Sequence, residues 1–266
     1  MRLKQKLQDV LPKEQLGHVS NRIHVIGDVA ILSIPAEADG YKEEIAEAVI
    51  SQKKNIRIVL NKISKLEGDR RVAAFEVLSG TGGTITNHKE YGFNYRLDVT
   101  QVFFSSHLSY EHQRVASQVR PSEWVLVPFA GVGPFVVPIA ARGAKVMALE
   151  KSSNACRWLA ENLRANGVEE RAAILNADAF YILQMINRTF DRAVVPTPYG
   201  MDKILEIIAD AVRMGGVVHF YTFKKRQQIE GLSKKYMDMG LEVRLCRRCG
   251  NVAPGVSRWA FDLVKC

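Results

Sequence analysis

Nowhere in its 266 residues does the sequence hold an apolar run near the roughly 20 residues that a membrane-spanning helix needs. The N-terminus, MRLKQKLQDVLPKEQ, is amphipathic and charged and lacks the apolar segment of a secretory signal. Both absences point away from membranes and secretion, and the expectation is a cytoplasmic protein. Cysteine is scarce as well: Cys156, Cys246, Cys249 and Cys266 are too few to frame a chain of this length with disulfides. Cys246 and Cys249 form a C-R-R-C, but zinc requires four ligands and only Cys266 follows, so strand-borne thiols are expected and no metal. Acidic residues are the largest deficit, since 28 against 37 basic ones give a net charge of +9 and a pI near 9.4. Such an excess favours a polyanionic partner through long-range attraction and counterion release. Internal repeats and low-complexity linkers are absent, and a monomer is expected.

What remains is an ordinary globular composition, 47% hydrophobic and 24% charged, in a chain long enough for one large domain and a small companion. RIHVIGDVAILSIP reads as hairpin strands around Gly27-Asp28, YKEEIAEAVISQ as an amphipathic helix and IRIVLNKI as a strand. The glycine-punctuated stretch from Glu67 to Phe104 reads as antiparallel strands, so residues 1–97 are expected to form a small α+β domain. SYEHQRVASQV begins a helix. From Trp124 the period changes. WVLVPFA, KVMALE, RAAILNAD, FDRAVVPTP and VVHFYTF read as strands, with PFVVPIAARG, NACRWLAENLRANG and DKILEIIADAVRMGG as helices between them. The fold class over residues 98–266 is therefore α/β, a doubly wound, mainly parallel sheet. The C-terminal LEVRLCRRCGNVAPGVSRWAFDLVKC would finish it with an antiparallel hairpin turning between Asn251 and Gly255.

A turn, G-V-G-P-F, follows the first strand of this second region. Gly131 and Gly133 lack Cβ atoms and let the backbone approach a ligand closely at the head of the next helix. The third glycine of a dinucleotide fingerprint is missing, which favours a compact nucleoside over a pyrophosphate. Glu150 ends the second strand, where an acidic residue accepts both hydroxyls of a ribose. Asp178 ends the third, where it can accept from an adenine amino group. In this order on successive strand ends, the turn and two acids describe an S-adenosylmethionine pocket lined also by Phe129 and Ala130.

FFSSHLSYEHQRVA, FAGVGPF, ALEKSSNACRWLAENLRANGV, FDRAVV, GGVVHFYT, APGV and AFDL occur in this order and spacing. They resemble the archaeal tRNA position-37 guanine N1-methyltransferases and their relatives, the wybutosine-synthesis aminocarboxypropyl transferases. GDVAILSIP and RRVAAFEVLSG resemble that family's small middle domain, so the likeness covers most of the chain. It implies a class I S-adenosylmethionine-dependent transferase with tRNA as acceptor, residues 1–97 supporting the tRNA side and residues 98–266 carrying the reaction. It extends the donor site to Phe104, Phe135, Lys151 and Ala179. It also makes Glu111 the base for guanine N1, with Arg71 in support. A carboxylate suits that role, because N1 must lose its proton as it attacks a methyl sulfonium. From position alone Glu111 would be an exposed first-turn residue favoured by the helix dipole.

Three departures from the family pattern stand out. An acidic residue before the F-A-G turn is replaced by Val127-Pro128, and the arginine after the family glutamate is His112. The asparagine of an N-L-P motif gives way to Pro196-Thr197-Pro198-Tyr199, which leaves the Pro196 carbonyl and the Thr197 hydroxyl to meet the guanine edge. The missing asparagine, the EK after the second strand and APGV resemble the aminocarboxypropyl branch. FAGVGPF, SHL and HFYT resemble the methyl branch, and methyl transfer is the expectation. A tRNA-facing surface is expected from Arg70, Arg71, Lys89, Arg114, Lys224, Lys225 and Arg226. The competing readings are a tRNA-binding module with a vestigial pocket, and a methyltransferase of a protein or small molecule using P-T-P-Y as an N-P-P-Y loop.

Overall fold

Two short β-branched runs, VAIL and IVLNK, pair in parallel at the middle of the first sheet. The computed structural model describes residues 3–64 and 73–266, and the chain divides after Ser106 into two units. Sequence reading put the division after Leu97; Phe104, seven positions on, still packs its ring 5.1 Å from His88 and 5.9 Å from Tyr95 of the first unit. In that unit α1 (Leu3–Lys6) and α2 (Lys13–His18) lead to β1 (His24–Ile26) and β2 (Val29–Leu32), an antiparallel hairpin turning at Gly27-Asp28. Helix α3 (Lys42–Gln52) crosses over to β3 (Ile58–Lys62), and β4 (Phe75–Gly80) returns antiparallel to give the order β1-β2-β3-β4. Strands β5 (Ile85–Glu90) and β6 (Phe93–Asp98) form a separate hairpin. The amphipathic N-terminus is explained by burial: Leu3, Leu7 and Leu11 join Ile45 and Val49 in one core cluster.

The second unit opens with α4 (Ser109–Ser117) and then alternates. Strand β7 (Trp124–Pro128), α5 (Val136–Ala141), β8 (Lys145–Glu150), α6 (Ser153–Ala165), β9 (Ala172–Asn176) and the short α7 (Ala179–Ile182) form its first half. Strand β10 (Phe190–Val195), α8 (Ile204–Ala211), β11 (Val212–Lys224), α9 (Ile229–Asp238), β12 (Leu241–Ala253) and β13 (Val256–Lys265) form the second. The seven strands lie in the order β12-β13-β11-β10-β7-β8-β9, with β7 to β11 parallel and the last two strands antiparallel. This is the doubly wound α/β sheet expected. Strand order reverses between β7 and β10, which opens a crevice at their carboxyl ends where ligands of such sheets bind.

Three local readings differ from the structure. VRMGG leaves α8 and enters β11, where the β10 register jumps from Phe190↔Val212 to Arg192↔Val217. Helix α9 was not foreseen, although Ile229, Leu232 and Tyr236 recur at helical spacing and pack on the main core. The C-terminal turn shrinks to Pro254-Gly255, and the β12–β13 ladder carries three register shifts, at Val243/Leu245, Arg248/Gly250 and Asn251/Ala253. Cys246 and Cys249 are strand-borne, both on β12. No helix among the described residues is long and apolar enough to cross a membrane.

Candidate active site

The turn after β7 takes positive φ at every second residue, 57° at Phe129, 57° at Gly131 and 94° at Gly133. For a phenylalanine that conformation stores on the order of 1–3 kcal/mol, a strain that clusters at ligand sites. The two glycines differ in what they allow. A Cβ on Gly133 would lie 2.4 Å from Leu159 Cδ1, so this glycine lets α6 close on the turn, whereas a Cβ on Gly131 would meet nothing within 4 Å among the described residues. The second position thus faces open space at the carboxyl end of the sheet. Glu150 closes the other side: its Oε2 accepts from Gly131 N and its Oε1 from Ser152 N, both at 2.8 Å. Each oxygen keeps a lone pair for a ribose hydroxyl. Asp178 caps α7 by accepting from Phe180 N at 2.9 Å, and its Oδ2 lies 3.4 Å from Lys151 Nζ. Asn162 donates to the Val132 carbonyl at 3.0 Å, and Asn176 bridges the carbonyls of Glu150 and Lys151 at 2.9 and 3.0 Å. Neither asparagine was singled out from sequence, though Asn162 interrupts the apolar face of α6. Pro128 is tolerated at the end of a central strand because the β10 partners of β7 stop at Leu126, before a missing N–H would matter on that side.

Glu111 is not the exposed first-turn residue that its position in α4 would give; it is 3% exposed. Its Oε2 accepts from Arg114 Nε and from Tyr221 OH, both at 2.9 Å. Its Oε1 lies 3.2 Å from Arg247 Nη1, an ion-pair distance outside hydrogen-bond alignment, and has no hydrogen-bond partner among the described residues. Arg114 grips Asp262 with its other two nitrogens, at 2.6 and 3.0 Å. His219, fully buried on β11, meets Asp262 Oδ1 through Nδ1 at 2.6 Å and Arg192 Nη1 through Nε2 at 2.7 Å. Because a guanidinium only donates, this geometry assigns a neutral His219 with its proton on Nδ1. Arg192 in turn donates to Glu123 at 2.8 and 3.2 Å. Burial alone would raise the Asp262 carboxyl, but hydrogen bonds from His219 and Arg114 outweigh it and hold the group well below the carboxylate range. Burial lowers the pKa of His219, more than its contact with Asp262 raises it. Burial likewise drives the Tyr221 phenol well above its usual value, and the Glu111 charge adds to the effect.

Residues 86–240 match the TRM5/TYW2 methyltransferase domain, and residues 3–83 match the TYW2 N-terminal domain. The chain belongs to the TRM5/TYW2 methyltransferase family. It is 33% identical over 260 residues to the tRNA (guanine(37)-N(1))-methyltransferase Trm5b of Pyrococcus abyssi, covering 95% of this chain and 77% of the relative. It is 32% identical over 272 residues to the tRNA(Phe) (4-demethylwyosine(37)-C(7)) aminocarboxypropyltransferase of Pyrococcus horikoshii, covering 98% and 95%. A solved complex of aTrm5 with tRNALeu superposes with a TM-score of 0.88 at 28% identity, covering 99% of this chain and 78% of that one. Family membership makes the chain an S-adenosylmethionine-dependent transferase. The open side of Gly131 and the spare lone pairs of Glu150 fit that donor.

The TRM5/TYW2 residues expected from sequence fall into two groups. Phe129, Ala130, Gly131, Gly133, Glu150, Lys151, Asp178 and Ala179 gather at the carboxyl ends of β7, β8 and β9. Others are placed differently. Phe135 is 2% exposed and serves packing, with its ring 4.6 Å from His112 and 5.3 Å from Tyr221. Phe104 is likewise buried, in the first unit, and Arg70 and Arg71 lie outside the described residues. Arg114 does not belong to a tRNA-facing surface, since its guanidinium is spent on Glu111 and Asp262. Lys224 is paired with Asp202, whereas Lys89, Lys225 and Arg226 are exposed. In the loop after β10, Pro196 and Pro198 are partly exposed and Tyr199 is open to solvent. The Thr197 hydroxyl is buried and donates to the Val195 carbonyl at 3.2 Å, which takes its proton away from any acceptor base. Among the described residues no cluster of histidine, cysteine or carboxylates could hold a metal.

Proposed function

We propose that this chain transfers the methyl group of S-adenosylmethionine to N1 of guanosine 37 in tRNA. One observation carries the reading: Glu111 is a buried carboxylate whose Oε2 is fixed by two hydrogen bonds, while Oε1, 3.2 Å from Arg247 Nη1, accepts no hydrogen bond among the described residues. That oxygen keeps acceptor capacity for a donor such as a guanine N1–H. The bound donor supplies an electrophilic methyl carbon on a sulfonium. Glu111 Oε1 takes the proton from guanine N1 as N1 bonds to that methyl carbon and the carbon–sulfur bond breaks, its electron pair leaving with the neutral thioether, while Arg114 and Tyr221 remain on Oε2 and fix the carboxylate's direction. Glu150 would hold the donor's ribose through its spare lone pairs, and Gly131 would leave room beside it for the bound donor. Phe135, packed on His112 and Tyr221, couples α4 to the helix that follows the donor turn, which limits drift between base and donor. The net charge of +9 and the exposed Lys225 and Arg226 suit a phosphate backbone. The Trm5 relatives named for this reaction support the choice, and so does the TM-score of 0.88 to a Trm5 bound to tRNA.

A second reading is aminocarboxypropyl transfer to a wyosine precursor at the same position. It is favoured by the TYW2 N-terminal match over residues 3–83 and by the replacement of the family asparagine with Pro196. The test is to incubate the protein with S-adenosylmethionine and either an unmodified tRNA transcript or tRNA carrying 4-demethylwyosine, and to identify the nucleosides by mass spectrometry. 1-Methylguanosine from the transcript is the expected product. An aminocarboxypropyl adduct confined to the precursor tRNA would replace the first reading with the second, and no product from either would reject both.

A further inference from the structure

Arg258 stands apart from the other arginines of the second unit's interior. Arg114 and Arg192 each grip carboxylates, yet the Arg258 side chain makes no hydrogen bond or ion pair among the described residues. It is half-buried on β13, opposite Phe223 of β11, with its guanidinium carbon 4.8 Å over the Phe223 ring. Its electrostatic neighbours are the Cys249 thiol and the Tyr221 phenol. Neither is a counter-ion: burial and the Glu111 charge push the thiol up to about 12, and the phenol stands well above its usual value. The guanidinium stays charged even though burial pulls its pKa down. A partly desolvated cation without an anion is unfavourable, and the imbalance is removed when an anionic ligand arrives.

The surroundings say what kind of anion. Phe223 lies two residues before Lys225 and Arg226, both exposed, at the carboxyl end of β11 and hence on the ligand side of the sheet. The Phe223 ring is 5.6 Å from Tyr199, which is 62% exposed in the loop after β10. Asp202 pins that loop to β11 by accepting from Thr222 Oγ1 at 2.8 Å and from Lys224. An unpaired guanidinium edge beside an exposed aromatic face is the combination that takes a nucleotide of single-stranded RNA. Resting on the tRNA reading above, we propose that Arg258, Phe223 and Tyr199 form a nucleotide subsite in which Arg258 binds a phosphate of the acceptor strand and Tyr199 stacks on the adjoining base.

Two variants test it. Arg258→Met removes the charge at similar length, and Arg258→Lys keeps the charge without the fork. Gel-shift titration with an unmodified tRNA transcript should show the Met variant binding about tenfold more weakly, with the log-log salt slope reduced by about one; Lys should restore the slope. Calorimetry with S-adenosylmethionine should show no change for either. The melting temperature of the Met variant should hold or rise, since a partly desolvated charge without a counter-ion has been removed. Wild-type tRNA affinity and slope in the Met variant would remove Arg258 from the interface while leaving the tRNA reading intact. A loss of donor affinity instead would make the donor's carboxylate the anion, and a lowered melting temperature with an unchanged salt slope would make Arg258 structural. Failure of the wild-type protein to bind the transcript would overturn the tRNA reading and this subsite with it.

Discussion

Between Pro128 and Asp178 the polar groups that face a donor are backbone amides and two partly exposed acids, drawn from neighbouring strand ends. Around Glu111 they are mostly buried side chains from α4, β10, β11 and β13, joined by the partly exposed Arg247 of β12. Exposed acids keep most of their hydration, so losing one removes a contact and little else. Buried charges depend on complete pairing, and losing one strands its partners. The first region can therefore vary in sequence at modest cost, while the second behaves as a unit.

The sharpest way to break that contrast is at Glu111. Glu111→Gln keeps the hydrogen-bonding shape and loses the proton acceptor, so single-turnover transfer should slow by about 10²- to 10⁴-fold with donor and tRNA affinity little changed. A wild-type rate would leave Glu111 as a structural charge only. Glu150→Ala should act oppositely, weakening S-adenosylmethionine binding by about 1–3 kcal/mol in a titration while leaving tRNA binding alone. Unaltered donor affinity would mean that Glu150 merely ties Gly131 to Ser152.

Acidification separates the regions by a different route. Burial holds the pKa of His219 below its ordinary 6.5, so as pH falls past that value the unfolded chain takes up a proton that the folded protein refuses. This stabilising contribution is complete above 6.5 and is lost on acidification at up to about 1.4 kcal/mol per pH unit. Asp262 acts in a lower window, since its depressed pKa stabilises the fold above 3.8 and the gain disappears as pH drops toward the folded value. Urea unfolding at stepped pH should show the upper slope in the wild type and its flattening in His219→Gln. An identical slope in both would place the titrating group elsewhere. The smallest effect is expected at Thr197→Val, which removes one local hydrogen bond worth about 1 kcal/mol of stability and leaves the transfer rate within a few-fold. A large rate loss there would show that the hydroxyl does reach the acceptor.

The same contrast governs what could be read before the structure. The glycine turn, Glu150 and Asp178 follow strands that announce themselves by apolar runs, and their meaning depends on local order, so sequence located them. Tyr221 reaches Glu111 across 110 residues and Asp262 reaches Arg114 across 148, and only the strand order brings them together. Signals existed: His219 interrupts the apolar VVHFYT and Asp262 interrupts AFDL, each a polar residue where the alternation wants none. What no pattern supplied was that β11 and β13 would lie side by side and pair His219 with Asp262. The same missing adjacency made Arg114 look like a surface cation and hid Arg258, which owes its character to Phe223 across the ladder.

Strand β12 closes one edge of the seven-stranded sheet, and an edge of 13 residues is an invitation to a neighbour's strand. Its three register shifts break the even row of free amides and carbonyls that such a neighbour would need, and Arg244 and Arg248 stand exposed along it. Two copies of the protein approaching this rim would bring like charges together on a crooked line of donors and acceptors. The irregularity of the ladder thus makes this edge a poor template for a neighbour's strand.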